Sequence, residues 1–244
     1  MKEIPKVLLA ACSIIILSAL GCGNGTGSNP YHERMKKLSE QVKANPSDKT
    51  ALNKLKSYTR SWDYWNRSYA YGYLAELAEQ NVGGCQAELI PLFGKLLEDS
   101  NQELRRRGAE TILDIGSPAV DKTLPALLKL LRKGEEDDVT WFSTEALGKL
   151  ENPEQARDIM PDLLKAASSR PPAGTQDSAP QVRYYALDSI KELATKNKLN
   201  VVPQLEHLMA TAESPYKESV AKTILALDPT NAAAKKAVSA AGKK

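Results

Sequence analysis

Glu103-Leu104-Arg105-Arg106-Arg107-Gly108-Ala109-Glu110-Thr111-Ile112-Leu113-Asp114-Ile115-Gly116 is the stretch from which the rest of the chain becomes readable. Counted from Leu104, Ile112 stands eight residues on and Ile115 three further. The same spacing returns at 66–77 (NRSYAYGYLAEL), 139–150 (VTWFSTEALGKL), 182–193 (VRYYALDSIKEL) and 216–227 (YKESVAKTILAL). The first anchor set is Leu74, Ile112, Leu147, Ile190 and Ile224, and the second is Leu77, Ile115, Leu150, Leu193 and Leu227. Spacings of three and eight keep these side chains on one face of a helix. Successive copies begin 38, 35, 43 and 34 residues apart. A recurrence of that size marks a stack of similar helical units.

A second signal precedes the last four copies. Pro91, Pro125, Pro161 and Pro203 each sit inside an apolar run, 13, 14, 21 and 13 residues before the following anchor helix begins. Proline within a helix removes a backbone hydrogen bond and kinks it. Recurrence at one repeat position predicts a bent first helix in every unit. The units are expected as helix pairs at 48–60 with 62–80, 86–98 with 102–115, 118–132 with 138–150, 154–168 with 180–195, and 199–211 with 214–227. Residues 31–47 and 229–244 are expected to supply capping helices. The long third spacing is explained by an insert at 170–180 (RPPAGTQDSAP), a loop within the fourth pair.

Residues 103–116 and the proline-bearing first helices resemble HEAT repeats, including the HEAT-like units of the PBS-lyase group, over about residues 48–228. The resemblance implies an all-α fold: a right-handed α-solenoid of about five helix pairs, with the second helices lining a concave groove. Each unit of such a stack buries its apolar face only against its neighbours, so the domain is elongated. Alternation of period two, the mark of strands, appears nowhere at length.

The N-terminus addresses the compartment. Lys2 and Lys6 precede an apolar stretch of 14 residues, 7–20, short of the roughly 20 that span a bilayer. This fits the apolar part of an export signal at 1–21. Ala19-Leu20-Gly21-Cys22 resembles the lipobox of bacterial lipoproteins, which implies acylation of Cys22 as the new N-terminus; the departure is Ala19, where an aliphatic residue is usual. Residues 22–30 are small and polar, the composition of a tether. The bilayer is thus an expected partner, through lipid on Cys22. Gly23 in place of Asp implies the periplasmic face of the outer membrane if the source is Gram-negative. Cys12 lies in the export signal, and Cys85 is left without a disulfide partner, so the fold rests on a packed core. Without residues 1–21 the chain carries 31 basic and 29 acidic residues, a balance that argues against nucleic acid.

Basic residues stand second in four of the five aligned helices: Arg67, Arg105, Arg183 and Lys217. The resemblance implies pairing with an acid in the preceding turn, Asp99 for Arg105 and Asp177 for Arg183, as a solvated ladder between units. A ligand-binding basic strip is the alternative. Aromatic residues crowd at Trp62, Tyr64, Trp65, Tyr69, Tyr71 and Tyr73, six of 14 in the chain. Trp65, Tyr69 and Tyr73 form a stripe on one helix. With Arg67 and Arg105 they are the candidate partner-binding residues, since exposed Trp and Tyr offer rigid contact area. The competing reading packs residues 31–60 onto these rings.

No catalytic, cofactor or metal motif stands out. His32 and His207 are 175 residues apart, and one His-Glu pair at 32–33 falls short of the several such pairs in HEAT-type metal hydroxylases. The acids 135–138 lack the loop spacing of a calcium site. The sequence therefore reads as a non-catalytic, membrane-anchored scaffold that binds a protein or peptide in its groove. The alternatives are a HEAT-like enzyme or chromophore lyase, or a purely structural envelope component.

Overall fold

The computed structural model describes residues 30–134, 137–169 and 182–241. The expected signal segment at 1–21, Cys22, the expected tether up to residue 29, Asp177 and the 170–180 insert lie outside them. Twelve α-helices and no strand occur among the described residues. They are α1 (Pro30–Ala44), α2 (Lys49–Ser57), α3 (Tyr64–Glu79), α4 (Gln86–Leu96), α5 (Gln102–Ile115) and α6 (Ser117–Lys133). There follow α7 (Asp138–Leu147), α8 (Pro153–Ala167), α9 (Val182–Asn197), α10 (Val202–Thr211), α11 (Tyr216–Leu227) and α12 (Ala232–Ala241). Five pairs, α2–α3 to α10–α11, stack between α1 and α12: the fold is an all-α solenoid.

Local chemistry sets the helix ends. Asp48, Asp63, Asn101, Asp137 and Asn152 each accept a backbone N–H of the first turn, satisfying donors that a helix start leaves open. Three of them, Asp63, Asn101 and Asp137, start second helices. Gly134, at φ 68°, closes α6 in the left-handed conformation that glycine adopts without steric cost.

The repeat anchors are the core. Leu74, Ile112, Leu147, Ile190 and Ile224 are fully buried, in one apolar cluster that runs from Met35 on α1 to Ala234 on α12. Small residues let helices close up. A Cβ on Gly108 would lie 3.1 Å from Leu96 and 3.2 Å from the Phe93 carbonyl, and one on Gly148 would lie 3.1 Å from the Ser189 backbone. At that second contact Ser189 donates to the Thr144 carbonyl at 2.7 Å, a buried bond joining two units.

The two rows of helices pack unequally. Second helices α3, α5, α7, α9 and α11 touch in unbroken succession. First helices α4, α6 and α8 also pack in series, but α8 and α10 barely meet and leave an open cleft of about 600 Å³ beside Leu164, Lys165 and His207. A close row backed by a looser one curves the stack toward the close row, so the second helices form the inner face.

The proline expectation needs one correction. Pro91, Pro125 and Pro161 lie inside α4, α6 and α8, but Pro203 occupies the first turn of α10. Lys198 adopts φ 53°, which ends α9, and α10 starts only at Val202. In a first turn the missing N–H costs nothing, because no carbonyl waits for it.

Candidate functional site

On the first four copies the solvent-reaching positions of the inner face fall six and ten residues beyond the start, with Gly72 the one uncharged member; the fifth copy has Lys222 and Ala226 there. They place Glu76 on α3, Glu110 and Asp114 on α5, Glu145 on α7 with Lys149 in the turn just past its end, and Asp188 and Glu192 on α9; Glu79 stands at the end of α3. Seven of these eight side chains are acidic, and their fields overlap across helices. The Glu79 carboxyl is pushed up to about 7 by lost hydration and then by Asp114, Glu110 and Glu76. Burial and Glu110 raise Asp114. Burial, then Asp188, Glu192 and Asp114, raise Glu145 against the opposing pull of Lys149. Four helices thus contribute to one acidic stripe.

Countercharge reaches only part of it. Lys43 pairs with Glu76, Lys149 with Glu192 at 3.0 Å, Lys191 with Asp188 at 2.7 Å, and Arg106 with Glu110 at 3.0 Å. Glu79, Asp114 and Glu145 make no ion pair among the described residues. Aromatic rings border the stripe at α7 and α9: Trp141 and Tyr185 stack at 6.2 Å, and Glu145 and Asp188 help to raise the Tyr185 hydroxyl. Carboxylates short of countercharge beside half-exposed rings suit a cationic side chain, which gains both charge and ring contacts.

The aromatic stripe lies on α3 as expected, but two of its three rings pack against α1. Tyr69 and Tyr73 face α1, with the His32 ring 4.5 Å and 5.9 Å from theirs and the Tyr73 hydroxyl 2.9 Å from His32 Nε2. Burial and the nearby Glu33 push that hydroxyl up to about 12. Tyr71 turns to the core, so the two flanks of α3 are covered by different neighbours. Trp65, in contrast, is 47% exposed.

The arginines also differ from expectation. Arg67 donates to the Ser61 and Trp62 carbonyls, both at 3.0 Å, and Arg105 to those of Asp99 and Ser100 at 2.9 and 3.1 Å. Each clamps carbonyls of the turn five and six residues before it. The expected Asp99–Arg105 side-chain pair is not formed. Asp99 instead meets Arg67 of the preceding unit at 3.4 Å, with only 16% and 17% of the two side chains exposed. Nη1 of each arginine clamps its own turn, and in Arg67 the Nε and Nη2 edge is left to meet Asp99 of the next unit. The rung between units is real but shifted by one unit and largely shielded from solvent. Arg183 lies 4.3 Å over the Tyr216 ring.

Sequence reasoning passed over the inner carboxylates, although their six-and-ten recurrence was present beside the apolar one. Of the remaining candidates, Cys85 is buried, with its thiol raised by burial. Among the described residues no three His, Cys, Asp or Glu side chains are placed to hold a metal ion.

A family model described as HEAT repeats matches residues 52–148 and 90–174, together half of the chain. No curated protein matches it. The repeat spacing, the paired helices stacked in two rows and this match agree, and the chain belongs to the HEAT-repeat family.

Proposed function

We propose that this protein is a non-catalytic scaffold, tethered to the bacterial cell envelope by lipid on Cys22, that holds a basic segment of a partner protein along its inner face. HEAT repeats suggest protein interaction in general. The observation that carries the finer reading is the stripe from Glu76 to Glu192, in which Glu79, Asp114 and Glu145 lack ion-pair partners among the described residues. Grouping like charges raises the energy of the free protein, and a cationic partner relieves it. The units also extend the stripe along the solenoid, which suits an extended segment. No helix among the described residues is long and apolar enough to cross a membrane. Attachment in this reading rests on acylated Cys22, and two or three acyl chains anchor stably.

The test is site-directed photocrosslinking in intact membranes. A crosslinker at 114 or 145 is expected to trap a partner, and one at 129 on the outer row is not. The triple change Glu79→Lys, Asp114→Lys and Glu145→Lys should abolish the product, and added salt should weaken it. Equal crosslinking from both rows, or a product indifferent to the charge reversals, rules out the acidic groove.

A further inference from the structure

Large exposed apolar side chains are concentrated at one place. Among the described residues they are Trp62, 93% exposed, Tyr31, 49%, and Trp65, 47%. All three belong to the first end of the solenoid. Trp65 lies 6.2 Å from Tyr69, which lies 4.5 Å from His32, the neighbour of Tyr31; Trp62 stands in the turn just before α3. Arg34 and Arg60 are exposed there too, and neither has an ion-pair partner among the described residues. Arg34 is three residues from Tyr31, on the same face of α1.

The chain reaches this end from Cys22, eight residues before Pro30. Fully extended, that connection spans at most about 29 Å, little more than the length of α3 at about 24 Å. Whatever Cys22 is fixed to is therefore within reach of Trp62 and Trp65 and far from the other end of the stack.

We propose that this end is a lipid-facing foot, on which Tyr31, Trp62 and Trp65 seat in the headgroup layer of the bilayer that holds the tether, with Arg34 and Arg60 at its anionic groups. Trp and Tyr suit that layer because an apolar ring carries a polar tip, and juxtamembrane arginines are drawn to anionic lipid. The acidic inner face is repelled by the same surface, so the solenoid stands away from it with its groove open. This placement rests on the tether reading above. A fully exposed tryptophan next to the point of attachment then has a partner, where elsewhere it would face only water.

The chain has three tryptophans, Trp62, Trp65 and Trp141, so emission reports the contact directly. The acylated full-length protein is placed in phosphatidylethanolamine–phosphatidylglycerol vesicles with ordinary or brominated acyl chains. Bromolipid should remove up to about two-thirds of the emission, the share of two rings at the interface. Trp62→Phe with Trp65→Phe should abolish the quenching, and Trp141→Phe should make it nearly complete. Protein that floats with the vesicles and shows no quenching overturns the foot while leaving the tether intact. Protein that neither floats nor is quenched overturns both. Quenching that persists in the variant with Trp141 alone means the solenoid lies flat, and also overturns it. Rings shielded from acrylamide only when a partner protein is added would reassign them to protein binding.

Discussion

Tyr216 ties the last unit to the fourth, and removing its hydroxyl tests how independent the units are. The ring is 3% exposed, and its hydroxyl donates to the Ala167 carbonyl at 2.6 Å, with the Arg183 carbonyl a longer 3.3 Å away. Ala167 ends α8, where carbonyls lack helical partners, so the hydroxyl satisfies a buried acceptor that the helix leaves open. Tyr216→Phe keeps the ring, and with it the Arg183 guanidinium at 4.3 Å and the edge contact with Tyr184 at 5.0 Å. What is lost is one hydrogen bond, with a buried acceptor left open, together about 1–3 kcal/mol. Tyr216→Ala removes the ring as well and should cost about 3–5 kcal/mol. Because each unit touches only its neighbours, the loss should stay local. Amide hydrogen exchange is the assay: Tyr216→Phe should speed exchange in α8 to α12, by about five-fold or more at 1 kcal/mol, and leave α2 to α5 unchanged. Unaltered exchange in α10 and α11, or equal acceleration at both ends, refutes the reasoning.

Three further outcomes are expected. Ile112→Ala empties a fully buried anchor between α4 and α5 and should cost roughly 2–5 kcal/mol, read from denaturant midpoints. Glu79 has its carboxyl near 7 in the fold against an ordinary value of 4.5, so the stability tied to it is full below about 4.5 and is lost as pH rises through 7. Glu79→Gln should therefore flatten the fall in urea midpoint between pH 5.5 and 8; a slope equal to wild type would show that the acid is not strained by its neighbours. Cys22→Ser should abolish incorporation of labelled palmitate and release the protein from the membrane fraction, and retention without any label in the wild type excludes acylation.

Much of the architecture was legible because helical periodicity is a local property. Ile112 and Ile115 predict a buried face from spacing alone, and five repetitions of that spacing require stacking, since one pair of helices has nowhere else to bury it. The prolines at 91, 125 and 161 mark the first helices by their own covalent geometry. Tertiary structure decided what depends on which unit approaches which. Asp99 meets Arg67 of the preceding unit while Arg105 takes only the Asp99 carbonyl, and no spacing within one unit reveals a partner in the next. By sequence Tyr69 and Tyr73 could line a groove or pack residues 31–60 onto the first repeat; in the structure they pack against α1. The acidic stripe likewise exists only when α3, α5, α7 and α9 lie side by side, because after burial the strongest influences on Glu79 are Asp114 and Glu110, 35 and 31 residues further along the chain. Periodicity is fixed by each helix's own geometry, whereas charge and ring contacts across units depend on the distance between helices, which a small residue such as Gly148 shortens by letting Ser189 of the next unit close up.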